Sequence, residues 1–338
     1  MKFLIAGLGS IGRRHLRNLI ALGEQDILLY RTHRSTLPDD ELSGFPVETD
    51  LKAALAHHPD AVIVSNPTAL HLDVAIPAAE AGCHLLLEKP ISHSLERIDD
   101  LKQALQGSGG KALVGFQFRY HPGLNLITNL MSGKDSLAFL PTRPIGKTLS
   151  VRVHWGEYLP GWHPWEDYRQ GYAAQSTLGG GVILTLSHPL DYLRWLFGDV
   201  ESLWCFSGHL SDLETDVEDC AEIGLRFTNG ILGSLHLDYC QRPPVHHMEI
   251  IGTQGTIRWD NTDGAVRIHT AGEAAVWQEY PPPPGFERNH LFLEQMRHFI
   301  AVISGESEPR CSLEDGIQAL RLALAAQESA SGNRLVRL

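Results

Sequence analysis

The sequence predicts an α/β protein with a doubly wound parallel sheet first and an α+β domain with a large, open, mostly antiparallel sheet second. Three observations predict it. Short apolar runs alternate with helical stretches over the first 120 residues, the pattern of parallel strands joined by crossover helices. The first of these runs leads directly into a glycine turn and a helix, Met1 to Gly12 reading M-K-F-L-I-A-G-L-G-S-I-G. After Tyr120 the texture changes to strand-like segments that alternate apolar and polar residues, as in Leu235-His236-Leu237-Asp238-Tyr239, which suits a sheet with one face buried.

The elements follow in order. Phe3 to Ala6 is too short and apolar for a helix and reads as a buried parallel strand. Gly7, Gly9 and Gly12 form G-x-G-x-x-G, with Ser10 and Ile11 inside the motif, and Arg13 to Leu22 then suits a helix. The first glycine permits the tight turn, the second lets backbone approach a pyrophosphate, and the third lets helix and strand pack closely. The pyrophosphate would rest on free N–H groups at the helix N-terminus, so the first domain reads as a Rossmann dinucleotide-binding unit. Further strands are expected at Ile27–Tyr30, Ala61–Val64, Leu85–Leu87 and Ala112–Val114. Helices are expected at Leu51–Ala56, Leu70–Ala81 and Leu95–Leu105, with Gly82 and Ser94 as candidate caps. Ligands of such sheets gather at the carboxyl ends of the strands, which singles out Tyr30-Arg31, Ser65-Asn66-Pro67, Glu88-Lys89-Pro90 and Gly115-Phe116.

In the second half, a helix is expected at Pro122–Met131, then a connection to Gly146. Strands are expected at Leu149–Trp155, Val200–Phe206, Cys220–Phe227, Ile231–Tyr239, His246–Ile251 and Thr256–Trp259. A helix from His188 to Phe197, the stiff Pro281–Pro284 connector, and helices at Asn289–Ser304 and Ser312–Ser329 complete the reading. Domain limits are expected at 1–120, 121–310 and 311–338, the last helix packing back on the first domain.

Composition narrows function. The net charge of -12 argues against a nucleic-acid binder, which shows a basic face. Five scattered cysteines without C-x-x-C read as reduced thiols in a cytoplasmic protein. The apolar start is broken by glycines and followed by Arg13, Arg14 and Arg17, unlike a signal peptide. The longest uncharged stretch, Ala173 to Leu190, holds three consecutive glycines and is no membrane span. The adjacent pairs His57-His58 and His246-His247 diverge on any regular element, so no metal site is expected. No G-x-S-x-G elbow supports a hydrolase.

With G-x-G-x-x-G, Glu88-Lys89-Pro90 after the fourth strand, and Gly179-Gly180-Gly181 leading to His188, the whole chain resembles the Gfo/Idh/MocA oxidoreductases. Gly161-Trp162-His163-Pro164-Trp165-Glu166-Asp167-Tyr168-Arg169 and Leu237-Asp238-Tyr239 with Arg242-Pro243 resemble members of nonulosonic-acid and surface-sugar pathways. The resemblance implies hydride transfer between a nicotinamide and a hydroxyl-bearing carbon of a sugar-like substrate, and a homodimer or homotetramer formed through the second sheet. It implies that Lys89 holds the reacting hydroxyl and that His188 is the general acid/base, a task that suits an imidazole.

The family often carries an aspartate where this chain has Thr185, which has no carboxylate to offer. Asp191 or Asp167 then supplies the charge, or His188 works without one, or catalysis is lost. NAD-specific sheets end the second strand with an acid; here Arg31, Thr32 and Arg34 follow Tyr30, and Arg31 suits a 2′-phosphate, so NADP is preferred and NAD stays possible. Ser65, Asn66, Pro67, His71, Glu88, Pro90 and Arg119 complete the expected cofactor shell, with His121 beside it. Substrate candidates are Arg119, Trp162, His163, Asp167, Tyr168, Arg169 and Thr185, with Arg169 the counterion of any substrate carboxylate. Asp238 could contribute to the substrate site from the sheet, but is expected as an exposed strand residue. Two other readings stay open: a non-catalytic cofactor-binding sensor or partner, favoured by Thr185, and a reductase of a non-sugar substrate such as a dihydrodiol.

Overall fold

A computed structural model describes residues 1–32, 37, 40–132, 143–272 and 276–338. Its contacts divide the chain into two compact units. The first comprises Met1–Gln117, Thr177–Gly180 and Arg288–Leu320; the second comprises Phe118–Ser176, Gly181–Glu287 and Arg321–Leu338.

The first unit opens with β1 (Lys2–Ala6), α1 (Ser10–Ala21), β2 (Asp26–Tyr30), β3 (Val47–Glu48), α2 (Leu51–Leu55) and β4 (Ala61–Val64). It continues with α3 (His71–Glu80), β5 (His84–Leu87), α4 (Ile98–Ser108) and β6 (Ala112–Val114). Among the described residues the strands form a parallel sheet in the order β3-β2-β1-β4-β5-β6. Phe3, Leu4, Ile5 and Ala6 are fully buried, as are Ala61, Val62, Ile63 and Val64. Covered faces on both sides explain why these strands read as unbroken apolar runs. The order reverses at β1, so β1 and β4 flank the switch point where such sheets bind ligands.

Helix α4 starts at Ile98, three residues later than the expected Leu95. Arg97 sits in the left-handed region at φ 62°, and Ser94 Oγ accepts from Glu96 N (3.3 Å) to shape a turn. Ser94 is thus a turn residue and not the helix cap. Asp50 caps α2 by accepting from Ala53 N (2.8 Å).

The second unit contains α5 (Pro122–Ser132), β7 (Thr148–Gly156), α6 (Val182–Thr185), α7 (His188–Phe197), β8 (Val200–Gly208), β9 (Cys220–Phe227) and β10 (Leu232–Asp238). Then come β11 (Val245–Gly252), β12 (Gly255–Asp260), β13 (Val266–Thr270) and β14 (Gln278–Tyr280). Helices α8 (Arg288–Ile303) and α9 (Leu313–Gly332) precede the terminal β15 (Val336–Arg337). The described strands form one open sheet, β14-β13-β12-β11-β7-β10-β9-β8-β15. It is antiparallel except for the parallel β7–β10 pair. Val151, Val153 and Trp155 of β7 are buried together with Leu235 and Leu237 of β10 and Met248 and Ile250 of β11. The alternate residues, including Arg152, His154, His236, His247 and Glu249, line the opposite and more exposed face.

In the first unit α8 lies against α1, with the Arg14 guanidinium 4.6 Å above the Phe292 ring. Val114 N donates to Cys311 O (2.9 Å). No helix among the described residues is long and apolar enough to cross a membrane.

Candidate functional site

In the first unit, the glycine turn joins β1 to α1. Gly7 has φ +92°, and a Cβ on it would lie 2.4 Å from Asn66 N; a Cβ on Gly12 would lie 1.9 Å from Gly7 O. These two glycines are required by the packing of the protein itself. Gly9 is different: a Cβ there meets nothing within 4 Å. Gly9 is also the N-cap of α1, with no side-chain cap and no acid in the first turn. The helix therefore presents bare N–H groups and the positive end of its dipole, next to an opening kept clear of side chain. That fits a dinucleotide pyrophosphate. Ser10 and Ile11, in the first turn, are both half-buried.

Ser65 ends β4 and donates its hydroxyl to Gly7 O (2.8 Å) and Ala6 O (3.1 Å), tying the two strand ends together. Asn66 Nδ2 donates to Leu70 O (2.8 Å), and Pro67 leads into the short helical turn that follows. His71, expected either to flank the cofactor or to cap a helix turn, is turned inward: it is buried, with Nε2 2.9 Å from Asn66 O. Burial holds its pKa below the ordinary value, so it braces the loop as a neutral ring. Arg31 is buried just beyond β2, its backbone N–H bonded to Glu48 O (3.1 Å), and Thr32 is exposed. Arg34 lies outside the described residues.

After β5, Lys89 is half-buried and the Lys89–Pro90 peptide is cis. Glu88, expected in the cofactor shell, is directed under it instead. One carboxylate oxygen meets His15 Nε2 at 2.8 Å, and the other accepts from Lys89 N (3.3 Å). Burial, the largest single influence, would raise this carboxyl; the His15 hydrogen bond, the Lys89 charge and the Lys89 N–H together outweigh it and hold the pKa below the ordinary range. A Cβ on Gly115 would come within 2.9 Å of the same carboxylate, so glycine there leaves Glu88 its space. His15 was not among the expected residues. Its position on the buried stripe Gly12-His15-Leu16-Leu19 of α1 was the available signal, because a buried imidazole requires a polar partner.

In the second unit, His188 begins α7 and is buried. Its ring stacks on Trp155 (5.6 Å, 29°) and meets the Phe118 ring edge-on (5.0 Å). Trp155 also stacks on His246 (4.2 Å, 4°), whose Nε2 lies 3.1 Å from the Tyr192 hydroxyl. Trp155, in ring contact with both imidazoles, was missed by sequence reading. Glu218 was missed as well: Val182 N donates to Glu218 O (3.0 Å), Ile183 N donates to its carboxylate (3.3 Å), and a Cβ on Gly181 would lie 2.5 Å from it. Glu218 therefore supports the start of α6, the turn before His188.

Arg119, expected to reach cofactor or substrate, is buried and grips Asp191. Its Nε donates to both carboxylate oxygens (3.2 and 3.0 Å) and its Nη2 to Oδ1 (2.7 Å). His121 is also a core residue, its Nδ1 accepting from Gly123 N (3.0 Å) and its ring against Trp259 and Phe286. Asp167 accepts from Arg169 N and from the Arg169 guanidinium, whose remaining edge meets Glu214 (2.8 Å). Two carboxylates thus surround Arg169, which removes the excess positive charge that a substrate carboxylate would seek. Tyr168 accepts from Glu214 N (3.0 Å), Trp162 stands edge-on to Tyr239 (5.5 Å, 90°), and His163 contacts exposed Trp165. Thr185 ends α6 as a buried residue, its side chain at the buried Tyr239 hydroxyl. Asp238 is buried, not exposed: its Oδ1 accepts from Cys240 N (2.7 Å) and Gln241 N (2.6 Å) to cap a turn. His246 and His247 do face opposite sides of the sheet, the former buried and the latter exposed.

A parallel sheet reversing at β1, with a glycine turn feeding an uncapped helix, defines a dinucleotide-binding Rossmann domain, here followed by an α+β domain. Family comparison agrees: residues 1–116 match the oxidoreductase-family NAD-binding Rossmann fold, and residues 140–338 match the C-terminal alpha/beta domain of the same family. The chain belongs to the Gfo/Idh/MocA oxidoreductase family. It is 27% identical to a myo-inositol 2-dehydrogenase of Thermotoga maritima, across 100% of this chain and 98% of that one. It is also 27% identical to a 1,5-anhydro-D-fructose reductase of Ensifer adhaerens, across 80% and 78% of the two chains. Its fold matches a levoglucosan dehydrogenase solved with NADH and levoglucosan (TM-score 0.85, 20% identity, 100% and 99% coverage).

Proposed function

We propose that this chain is an NAD(P)-dependent oxidoreductase that moves a hydride between nicotinamide and a hydroxyl-bearing carbon of a sugar-like substrate. The observation that carries the reading is the contrast at the glycine turn. Gly7 and Gly12 are needed by the protein, whereas Gly9 borders open space at the bare start of α1. The relatives named above act on polyols and anhydrosugars by name, which supports a substrate of that class.

The N–H groups of α1 hold the pyrophosphate, and Arg31 takes a 2′-phosphate, favouring NADP over NAD. When bound, the nicotinamide supplies the hydride acceptor or donor. Lys89 hydrogen-bonds the reacting oxygen and stabilises developing negative charge on it. His188 takes or returns the hydroxyl proton. Neither carboxylate considered as its helper stands idle: Asp191 is gripped by Arg119 and Asp167 by Arg169. Asp191 instead fixes the first turn of α7, and Trp155 sets the ring plane of His188. Trp162, His163 and Tyr168 offer apolar faces and hydroxyl-binding groups to the sugar. Trp204, Phe206 and Leu232, exposed on one face of the second sheet, support self-association there as a dimer or tetramer. The scattered free thiols suit a cytoplasmic setting.

Cofactor oxidation and reduction measured against a panel of sugars and inositols tests the reading. Lys89→Ala is expected to retain NADPH binding, followed by fluorescence, while turnover falls by roughly two orders of magnitude or more. Turnover surviving in Lys89→Ala removes the proposed chemistry. Tight cofactor binding with no turnover on any substrate favours the non-catalytic reading that Thr185 suggests. Equal affinity for NADPH and NADH defeats the role given to Arg31.

A further inference from the structure

We infer that the outer face of the second sheet carries a site for a divalent transition-metal ion, Zn²⁺ by its chemistry, made by His154 of β7 and by His236 and Asp238 of β10. The three ligand atoms all lie within 4.8 Å of one another. Asp238 Oδ2 is 3.0 Å from His236 Nε2 and 3.7 Å from His154 Nε2. Around a tetrahedral ion with bonds of about 2.0–2.1 Å, ligand atoms stand about 3.3 Å apart, so the group is close to closed without rearrangement.

Strand pairing explains how the residues meet. His154 and His236 are direct partners in the parallel β7–β10 pair, and Asp238 follows His236 on the same face at the two-residue period of a strand. Gly156, the partner of Asp238, leaves the carboxylate its room: a Cβ there would lie 2.1 Å from Asp238 Oδ2. Linear spacing cannot show this cluster, because His154 and His236 are far apart along the chain.

The surroundings orient the ligands as second partners do in known metal centres. His236 Nδ1 meets Glu222 Oε1 at 2.6 Å, a carboxylate–histidine arrangement that leaves Nε2 to the ion. Asp238 Oδ1 is occupied by Cys240 N and Gln241 N, which aims Oδ2 at the two imidazoles. Asp238 Oδ2 is in hydrogen-bond contact with His236 (3.0 Å), whereas His154 stands 3.7 Å from the same oxygen, within ion-pair range but beyond a hydrogen bond. The His154 Nε2 is shielded from water and accepts or donates no hydrogen bond, although it points to the same carboxylate. A metal ion satisfies all three groups at once. Two imidazole nitrogens and one carboxylate oxygen suit zinc and not Mg²⁺ or Ca²⁺, which take oxygen ligands. A fourth position is left for water. All three ligands come from one chain, so the site does not depend on self-association of this face.

Calorimetric titration of the chelator-treated full-length protein with Zn²⁺, with Co²⁺ absorption as a reporter of geometry, tests the inference. The expected result is one ion per chain and the intense visible bands of tetrahedral Co²⁺. Both signals should vanish in His154→Gln and in Asp238→Asn, the latter keeping the oxygen that caps the turn. Glu222→Gln should weaken uptake by roughly 10- to 100-fold, and the surface double variant His57→Ala/His58→Ala should bind as wild type. Circular dichroism confirms that each variant is folded, and His154→Gln, at a partly exposed position, is the one least able to disturb the fold. No stoichiometric uptake by wild type, or uptake unchanged in both His154→Gln and Asp238→Asn, overturns the site.

Discussion

Arg119 holds both carboxylate oxygens of Asp191, with Nη2 at 2.7 Å and Nε at 3.0 and 3.2 Å, one helical turn beyond His188. Both residues are almost wholly inaccessible, so the pair is a structural anchor for the start of α7. Removing one partner strands the other charge in the interior, which costs about 3–5 kcal/mol. Arg119→Met or Asp191→Asn should therefore lower the unfolding free energy by that amount in denaturant titrations. Replacing both, as Arg119→Met with Asp191→Leu, should restore much of the stability, since apolar replacements of a buried pair are well tolerated. If the pair positions His188, turnover in the double variant stays down by roughly 10- to 100-fold with KM little altered. Full recovery of kcat along with stability would show that the pair serves the fold alone.

The His15–Glu88 pair leads to a prediction in pH. The folded protein holds the Glu88 carboxyl below its ordinary pKa, because the His15 hydrogen bond, the Lys89 charge and the Lys89 N–H together outweigh the larger single effect of burial. A carboxyl depressed on folding contributes stability that is present above its unfolded pKa and is lost as pH falls through the folded value. Thermal melts should thus show a loss of stability beginning near pH 4.5 and growing below it, and Glu88→Gln should lack that component. His15→Ala leaves the buried carboxylate with the Lys89 N–H but without its imidazole partner, and should cost about 1.5–3 kcal/mol at neutral pH, as for a lost hydrogen bond to a charged group. An acid profile identical in wild type and Glu88→Gln would contradict this account.

These two pairs mark where the sequence stopped being informative. The central strands were legible because a doubly wound sheet buries both faces, and Phe3–Ala6 and Ala61–Val64 show that directly as unbroken apolar runs. The edge strands β3 and β15 have two residues each, too few for any period, and β13 and β14 also went unread. The places of Gly7, Gly9, Gly12, Lys89 and His188 in the fold were legible because the signals are local: a turn, a strand end, a helix start. The braces were not, because His15 and Glu88 are 73 residues apart and Arg119 and Asp191 are 72 apart. Arg119 and Glu88 were for that reason expected at a ligand, when Arg119 in fact faces the Asp191 carboxylate and Glu88 the His15 imidazole in the interior. Asp238 misled for a different reason: alternation places it on the polar face, as found, but its carboxylate is buried there between the His154 and His236 rings and the backbone N–H groups of Cys240 and Gln241 at the end of β10.

His121 supplies a second acid-sensitive element. Burial pushes its pKa down to about 4, and its Nδ1 accepts from Gly123 N at the start of α5. Protonation would place a second N–H against that donor, so the ring must stay neutral to hold the turn. A histidine depressed on folding favours the folded state fully above its unfolded pKa near 6.5 and progressively less as pH falls toward 4. The contribution at stake is roughly 3 kcal/mol. His121→Asn, which keeps a polar side chain without the titration, should flatten the loss of stability between pH 6.5 and 4 in melts of the second unit's near-ultraviolet signal. A slope in that window unaffected by the substitution would place the sensitivity in another histidine.

The glycine turn separates what the protein needs from what its ligand needs. Gly12→Ala places a methyl 1.9 Å from Gly7 O, a backbone collision with no flexible atom to yield, and should unfold the turn whether or not cofactor is present. Gly9→Ala meets nothing within 4 Å, and Gly9 has φ -72° and ψ -168°, which alanine adopts without strain. The ligand-free Gly9→Ala protein should thus be as stable as wild type or about 0.4–1 kcal/mol more stable, through the smaller entropy of its unfolded chain. NADPH affinity, however, should fall by at least about ten-fold, or 1.4 kcal/mol, because the methyl occupies the space a pyrophosphate requires. Melting temperature without cofactor and fluorescence titration with it give the two halves of the answer. Unchanged NADPH affinity in a folded Gly9→Ala protein would mean that the opening at the start of α1 is not where the dinucleotide lies.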